Sequence, residues 1–381
     1  MIGELIDVFR MRQYFDVLVR VRDVARDLAD DAGLVDDVRR ALLPLPGDRW
    51  PRPDRPTFPE ALHLPPDGLE RRRIAIVATG GSGALASVVG VGRAFEEYGI
   101  EPAVISICSG SALFGFPLAA GVPAEEVARF VASLRPADYV DPNWLALARL
   151  VPTLGRGFAG IIRGALLENT YRGLLGDMTL GQLAIPAYAP IWNIEHNRVE
   201  YLGPATYPDL PVARAVHMAV ALPLFLDPVA LGGDHWCDGG IVDIFPVHPV
   251  LDLEEPCDLV IAVNGFYPPG FLGEDQTGWQ HRRFSILDIA SQVRTAQQVQ
   301  LARENLARLE ASTEVAMIEP VPYEKVQGAG FYRQFLDTRE WGDFMVAGLE
   351  HAHEVLAAHT PREAAPQASG ERPRARMRLN A

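Results

Sequence analysis

Short apolar runs separated by glycine turns begin the largest part of the chain. Residues 74–77 form an apolar run of the length expected for a strand buried on both faces. A tight turn at 79–83 and a helix at 88–98 follow it, and then a second strand at 103–108 and a second helix at 110–120. Strand, turn and helix in this repeated order predict parallel strands joined by helical crossovers, and therefore an α/β fold.

The remaining pattern extends this architecture towards the C-terminus. The section from about 124 to 185 is predicted to be mostly helical and irregular. The later elements predicted from periodicity are a hairpin of 190–196 and 199–202 around Asn197, helices at 210–220, 284–309 and 331–358, and strands at 258–264 and 314–318.

The two ends of the chain differ from this main domain, which we expect to span residues 72–358. Residues 1–45 carry a helical apolar stripe and predict an N-terminal helical extension. It would either pack on the main domain as a hairpin or serve as an interfacial membrane or dimer helix. A proline-rich linker is expected at 46–71, and a disordered tail rich in proline, arginine and alanine at 359–381.

Composition and charge narrow the classes of function. The 381 residues are 48% hydrophobic and 22% charged, which is typical of a globular protein. A formal net charge of −14 argues against nucleic acid as a partner. Three cysteines without CxxC spacing predict neither a disulfide framework nor a zinc site, and we expect no cofactor.

The expected location is the cytoplasm. No apolar run reaches the roughly 18 residues of a membrane-spanning helix, and the first residues contain no signal-peptide core. Peripheral membrane contact and a homodimer both stay open.

The first candidate for chemistry is the glycine turn at Gly80, Gly81, Ser82 and Gly83. A turn between a strand and a helix exposes backbone N–H groups near the positive helix end, where they can hold a phosphate or a developing oxyanion. Residues 81–86 also fit a loose G-x-G-x-x-A dinucleotide fingerprint. The turn alone therefore leaves a nucleotide-binding oxidoreductase open.

The second candidate is Ser109, at the predicted junction of strand and helix. A serine on such a sharp turn has its hydroxyl exposed above the sheet, as in a nucleophile elbow. Small residues normally stand two positions either side of the nucleophile; Ser111 satisfies this requirement, whereas Ile107 departs from it. Ser111 as nucleophile would place Leu113 at the second position and fits less well. The alternative for the segment is an ordinary turn with a capping serine.

The third candidate is Asp238, which precedes Gly239 and Gly240 in a segment that continues to Phe245-Pro246-Val247. A carboxylate before two glycines indicates a tight loop where a substrate or a serine can come close. Its simpler interpretation is a common Asp-Gly turn.

Taken together, the three segments resemble the patatin-like phospholipase family, and so does the stretch 213–229 that precedes Asp238. The resemblance covers about residues 72–265. It implies a three-layer α/β/α sandwich with a mainly parallel sheet and an acyl hydrolase that uses a Ser-Asp dyad without histidine. By resemblance, Ser109 is the nucleophile, Asp238 its partner, and the turn from Gly80 to Gly83 provides the oxyanion donors.

Such a dyad hydrolyses acyl esters, with lipids as the expected substrates, through an acyl-enzyme intermediate. Serine is a weak nucleophile until a base takes its proton, and burial raises the pKa of an aspartate towards the range where it can act as that base. The chain departs from the family pattern at Ala84 and Leu85, where an Arg or Lys and a Gly are usual, and at Ile107, where a Gly is usual. A narrowed substrate range, an acyltransferase or a catalytically silent lipid-binding or scaffold protein therefore remain alternatives.

A histidine could also complete a Ser-His-Asp triad. The candidates are His196, His217, His235 and His248. Each is more often a surface or structural residue in such a position. The residues that would bind the substrate could not be predicted.

Overall fold

The fold is described from a computed structural model. It describes residue 58 and residues 69–150, 159–272, 286–326, 334–335 and 337–359. The predicted helical extension at 1–45, nearly all of the linker at 46–71 and the tail beyond residue 359 lie outside the described residues.

Ten described strands form one large sheet and one small one. In chain order they are β1 (Ile74–Ala78), β2 (Val104–Ser106), β3 (Gly160–Ile162), β4 (Ala187–Asn193), β5 (Arg198–Leu202), β6 (Leu224–Leu226), β7 (Val229–Leu231), β8 (Asp234–Asp238), β9 (Leu259–Val263) and β10 (Glu314–Ile318). The large sheet has the order β10-β9-β1-β2-β4-β8-β7, with β5 also paired to β4. The pairs from β10 to β4 are parallel, and β5, β8 and β7 add antiparallel pairs.

Alternating side chains along the central strands separate two cores. In β1, Ile74 and Ile76 pack into one core, whereas Ala75 and Val77 pack into the other. Successive side chains of a strand point to opposite faces, so β1 is covered by apolar groups on both sides. This arrangement explains why the strand is continuously apolar in the sequence.

Helices cover both faces of this sheet and complete a three-layer α/β/α sandwich. In chain order the described helices are α1 (Ser87–Glu97), α2 (Ala112–Ala119), α3 (Ala124–Ser133), α4 (Pro136–Tyr139), α5 (Trp144–Leu150), α6 (Ala165–Leu175), α7 (Val212–Ala219), α8 (His248–Leu251), α9 (Ile286–Glu310), α10 (Tyr323–Val326) and α11 (Trp341–Ala358). Helices α1, α2, α3, α7 and α11 contribute to the core of Ile74, and α9 contributes Ala302 and Leu309 to the core of Ala75. The predicted α/β sandwich with a mainly parallel sheet is confirmed.

Most elements predicted within the described residues are confirmed, with boundaries that move by a few residues. Strand β10 coincides with the predicted 314–318, and the hairpin of β4 and β5 turns at Asn197, which has a φ of 49°. The predicted helix at 110–120 begins with a single 3₁₀ turn, Ser109–Ser111, and continues as α2.

One predicted boundary was wrong, and four short strands were missed. The last helix was expected at 331–358, but α11 begins at Trp341 after a 3₁₀ turn, Thr338–Glu340. Asp337 is extended and its side chain accepts a hydrogen bond from the N–H of Arg339, which makes it the cap of a new helical segment. The missed strands are β3, β6, β7 and β8, although Gly232 and Gly233 between β7 and β8 have the positive φ of a hairpin turn.

Helices α1 and α11 approach each other closely at two glycines. A Cβ placed at Gly90 would lie 1.9 Å from the carbonyl oxygen of Met345, and one at Gly348 would lie 2.1 Å from the carbonyl oxygen of Ser87. Both clashes involve backbone, which cannot rotate away. These two glycines therefore set the distance between the helices, and α1 in turn follows directly from the glycine turn.

We expect Gly348→Ala to destabilise the protein by about 1–3 kcal/mol, the usual cost of overpacking, because a methyl group must push two helix backbones apart. Gly173→Ala is the matched control. Gly173 is also a helical glycine, but a Cβ there would meet nothing within 4 Å. That substitution should stabilise α6 by roughly 0.5–1 kcal/mol.

Urea unfolding of the two variants and the wild type measures both effects. A Gly348→Ala protein with the unfolding midpoint of the wild type would show that the two helices can move apart at no cost.

Candidate active site

Ser109 lies on a strained turn at the end of β2. It has a φ of 50°, a conformation that side-chain-bearing residues seldom adopt, and it is half-buried. The turn is held by Ser111, whose hydroxyl accepts from the N–H of Cys108 at 2.8 Å and donates to the carbonyl of the same residue at 2.8 Å. Ser111 is therefore committed to supporting the turn, and the hydroxyl of Ser109 is the one exposed on it.

Ile107 packs away from this turn. It is fully buried in the core of Ile74, and a Cβ placed at Gly115 of α2 would lie 2.6 Å from its Cγ2. Gly115 thus provides the space that the larger side chain needs. Ile107 and Cys108 point to opposite faces of this extended segment, so the side chain of Ile107 faces the helices.

Asp238 ends strand β8 and is almost completely buried, with 1% of its surface exposed. Its N–H donates to the carbonyl of Ala221 at 2.9 Å, and its Oδ1 accepts from the N–H of Gly240 at 2.8 Å. The first bond ties the carboxylate to the segment after α7, and the second fixes the orientation of the carboxyl plane.

The three segments singled out in the sequence meet around Cys108 and Ile244. A Cβ placed at Gly80 would lie 3.1 Å from the Cβ of Ser109 and 3.2 Å from the Sγ of Cys108. One placed at Gly240 would lie 2.8 Å from the same Sγ and 3.1 Å from Oδ1 of Asp238. The same two Cβ atoms would lie 2.5 Å (at Gly80) and 3.1 Å (at Gly240) from the Cδ1 of Ile244.

The carboxylates near Cys108 act on its thiol. Burial, and then the charges of Asp238 and Asp243, raise the pKa of the Cys108 thiol well above its ordinary value. A thiol in that state is a poor nucleophile at neutral pH. Cys108 is therefore an inert neighbour of Ser109 and not a competing nucleophile.

The glycine turn presents its backbone to the serine turn. A Cβ placed at Gly110 would lie 2.3 Å from the carbonyl oxygen of Gly81, so only glycine at 110 allows the two backbones to come this close. The N–H of Gly80 donates to the carbonyl of Ile244 at 3.0 Å. Among the residues that the structure describes, no acceptor is paired with the N–H of Gly81 or of Gly110.

Gly80 differs from the prediction that it donates to an oxyanion. Its N–H is already bonded, so Gly80 contributes space and anchorage to the turn and not an oxyanion donor. The N–H of Gly81, in the predicted turn, has no acceptor among the described residues, and the same is true of the N–H of Gly110, which directly follows Ser109.

Helix α9 supports the loop that follows Asp238. Gln298 donates from its side-chain amide to the carbonyl of Gly240 at 2.9 Å. Asn305 donates to Oδ1 of Asp243 at 3.0 Å and to the carbonyl of Phe245 at 2.8 Å. Sequence reasoning missed both residues, since a polar residue on a long polar helix gives no signal of a distant partner.

Asp243 is part of this support. Its Oδ2 accepts from the hydroxyl of Tyr201 on β5. Burial raises the pKa of Asp243, while its hydrogen bond from Tyr201 acts in the opposite direction. The pKa of the Tyr201 hydroxyl is raised by burial and by the Asp243 charge, so this tyrosine stays protonated and donates.

The four candidate histidines have other partners. His217 lies 3.2 Å from Glu168, His235 lies 2.7 Å from Glu195, and His196 lies 3.5 Å from Asp234. His248 contacts the ring of Tyr201.

The described residues contain no cluster of three or more His, Cys, Asp or Glu side chains that could hold a metal ion. Nor does any helix within them combine the length and apolar character needed to cross a membrane.

Sequence comparison finds relatives across the same part of the chain. An uncharacterized NTE family protein of Mycobacterium tuberculosis is 25% identical over 198 residues, and one of Mycobacterium bovis matches equally. The match covers 52% of this chain and 51% of each relative, so the chain spans about half the length of the relatives it matches.

Solved structures with a similar chain include VipD from Legionella pneumophila and human GIVD cytosolic phospholipase A2. VipD aligns with a TM-score of 0.41 and 15% identity, over 76% of this chain and 67% of its own. The human enzyme aligns with a TM-score of 0.40 and 13% identity, over 91% of this chain and 62% of its own.

The family comparison covers the three segments that form the centre of the site. Residues 76–251 match the model of the patatin-like phospholipase family. This range begins within β1, includes the glycine turn and Ser109, and extends beyond Asp238 to the end of α8. Over these residues the chain is similar to the patatin-like phospholipases.

Proposed function

We propose that the chain is a serine acyl hydrolase of lipid-like esters, with Ser109 as nucleophile and Asp238 as its base. The observation that carries the proposal is the meeting of the strained Ser109 turn, the Gly81 turn and the buried Asp238 around Cys108 and Ile244. The patatin-like phospholipase match over residues 76–251 supports the same reaction class.

The reaction would proceed in two steps. Asp238 takes the proton of the Ser109 hydroxyl as Oγ attacks the ester carbonyl, and the alcohol leaves with a proton returned by Asp238. Asp238 then activates a water, which hydrolyses the acyl-enzyme. The bond from Gly240 to Oδ1 holds the carboxylate in a fixed orientation throughout both steps.

The negative charge that develops on the ester carbonyl oxygen must be stabilised by hydrogen-bond donors that are already in position. The N–H groups of Gly81 and Gly110 belong to backbones in direct contact beside Ser109. Preorganised donors cost no reorganisation during the reaction, and one of them is typically worth about 3–4 kcal/mol of barrier. The contact of the two turns would therefore supply the largest single contribution to catalysis.

An apolar cavity beside the site supports an acyl substrate. Its walls come from several elements: Leu113, Leu134, Tyr139, Ile162, Leu167, Tyr171, Val220, Leu226, Phe335 and Trp341. Leu113 lies one helical turn after Ser109, and Val220 precedes Ala221, the residue bonded to Asp238. The two tyrosine hydroxyls donate to backbone carbonyls and, because burial raises the pKa of both, remain neutral. Such a wall favours apolar over charged groups.

Two alternatives share this cavity. An acyltransferase would use another alcohol in place of water for the second step. A catalytically silent lipid-binding or scaffold protein would keep the cavity but not the reaction. Peripheral contact with a membrane would be compatible with the hydrolase, the acyltransferase and the lipid-binding protein, since each of them binds a lipid.

We expect Ser109→Ala and Asp238→Asn each to lower turnover of p-nitrophenyl acyl esters by about 10⁴-fold or more, the scale seen when members of such a catalytic unit are removed. The double variant should be little worse than either single one, because the two residues act together. Labelling by a fluorophosphonate probe should occur in the wild type and disappear in Ser109→Ala.

Ser133→Ala and Asp177→Asn serve as matched controls, since both residues lie on the surface away from the site. Normal turnover by folded Ser109→Ala or Asp238→Asn would refute the dyad. A wild-type protein that is neither active nor labelled, but is purified with bound lipid, would favour the lipid-binding alternative.

The cavity leads to a prediction about chain length. Leu167→Trp fills one wall, so turnover of long-chain esters should fall by about 10-fold or more, while turnover of acetyl and butyryl esters changes by less than about threefold. Leu166→Trp is the control. Leu166 is next to Leu167 on the same helix, but its side chain is 39% exposed. Comparing kcat/KM across a series of acyl esters tests the assignment; an equal loss for all chain lengths would contradict it.

A further inference from the structure

The glycine turn has a polar partner from a distant part of the chain. Gln334 is 2% exposed, and its side-chain oxygen accepts from the Ser82 hydroxyl at 2.6 Å and from the N–H of Ala84 at 3.2 Å. Its side-chain nitrogen donates to the carbonyl of Lys325 at 3.2 Å. Every atom of the buried amide is therefore paired, and the oxygen is fixed towards the turn.

The backbone of Gln334 is held as firmly as its side chain. Its carbonyl accepts from the indole nitrogen of Trp341 at 2.8 Å. The same indole nitrogen would lie 1.9 Å from a Cβ at Gly83, so Trp341 packs directly on the turn. Gln334 and Trp341 together close the outer side of residues 82–84.

These contacts complete a two-sided clamp around Gly81. On one side the N–H of Gly80 is bonded to the carbonyl of Ile244, and on the other side Ser82 and Ala84 are bonded to Gln334. Gly81 stands between the two anchors, with its carbonyl oxygen against Gly110. Fixing the residues on both sides leaves the peptide of Gly81 little freedom to rotate.

Gln334 pairs a buried backbone group of the turn. The side chains of Ala84 and Leu85 are apolar, and the amide oxygen of Gln334 accepts from the Ala84 N–H. A buried N–H without a partner costs about 1–3 kcal/mol, so this bond stabilises the shape of the turn.

We propose that Gln334 is a positioning residue that holds the Gly81 N–H in its oxyanion-binding orientation. The residue acts through Ser82 and Ala84 and touches no substrate itself. Its neighbours connect it to the acyl cavity: Phe335 and Trp341 are both cavity walls, and the carbonyl of Phe335 accepts from the Tyr139 hydroxyl at 2.8 Å. This role rests on the proposed hydrolase function.

Gln334→Met tests the role, because methionine matches the length of the side chain but offers no strong acceptor. We expect kcat for p-nitrophenyl butyrate to fall by about 10- to 100-fold, less than the full loss of an oxyanion donor, with KM changed by less than about threefold. The rate of inactivation by a fluorophosphonate should fall by a similar factor. Ser82→Ala removes one of the two bonds and should give a smaller loss of kcat in the same direction.

Thr338→Val is the matched control. Thr338 is fully buried in the same segment and donates to the carbonyl of Leu134 at 3.1 Å, without a bond to the turn. It should lose stability without losing kcat.

An unchanged kcat in folded Gln334→Met would overturn the proposal, as would an equal loss in Thr338→Val, which would indicate a purely structural effect. If Gln334→Met fails to fold, Ser82→Ala decides: a loss of kcat supports the clamp and an unchanged kcat refutes it. Failure of the hydrolase function itself is distinguishable, because the wild type would then show neither turnover nor labelling, and both proposals would fall.

Discussion

The close contact between two turns at one edge of the sheet determines the rest of the site. Strands β1 and β2 are parallel neighbours, so the turns that follow them emerge side by side. Gly110 then allows the backbone after Ser109 to lie against the carbonyl of Gly81. Any side chain at position 110 would separate the two turns, because its Cβ would lie 2.3 Å from the carbonyl oxygen of Gly81. The proposed catalytic arrangement therefore depends on the distance between two backbones, which only glycine at position 110 permits.

Two distant segments of the chain support the site: one holds the loop after Asp238 and the other holds the glycine turn. Helix α9 holds the loop after Asp238 through Gln298 and Asn305, and the segment of Gln334 and Trp341 holds the glycine turn. Neither support touches the hydroxyl of Ser109. A strained serine turn is maintained only when its surroundings determine its conformation more strongly than its own preference does. The supports therefore belong to the machinery, although their residues carry no chemistry.

The polar and apolar parts of the site are kept separate. Carboxylates, amides and backbone donors meet at the edge of the sheet, whereas the neighbouring cavity is lined by side chains whose polar atoms are already bonded. This separation suits an ester with a hydrocarbon chain, because the carbonyl needs donors and the chain needs a wall without them. Burial also raises the pKa of the Cys108 thiol next to Ser109, which keeps this thiol protonated and unreactive.

The sequence by itself determined the elements whose signal is local. Continuous apolar runs gave β1, β9 and β10, and small residues at Gly80, Ser109 and Asp238 marked the turns, because period, length and turn chemistry are properties of adjacent residues. The tertiary structure alone decided which of these turns meet. Contacts such as Gly110 with Gly81, or Gln334 with Ser82, join residues whose spacing in the chain carries no pattern. For the same reason the sequence left Ile107 as a disturbing departure, and only packing against Gly115 revealed where its side chain goes.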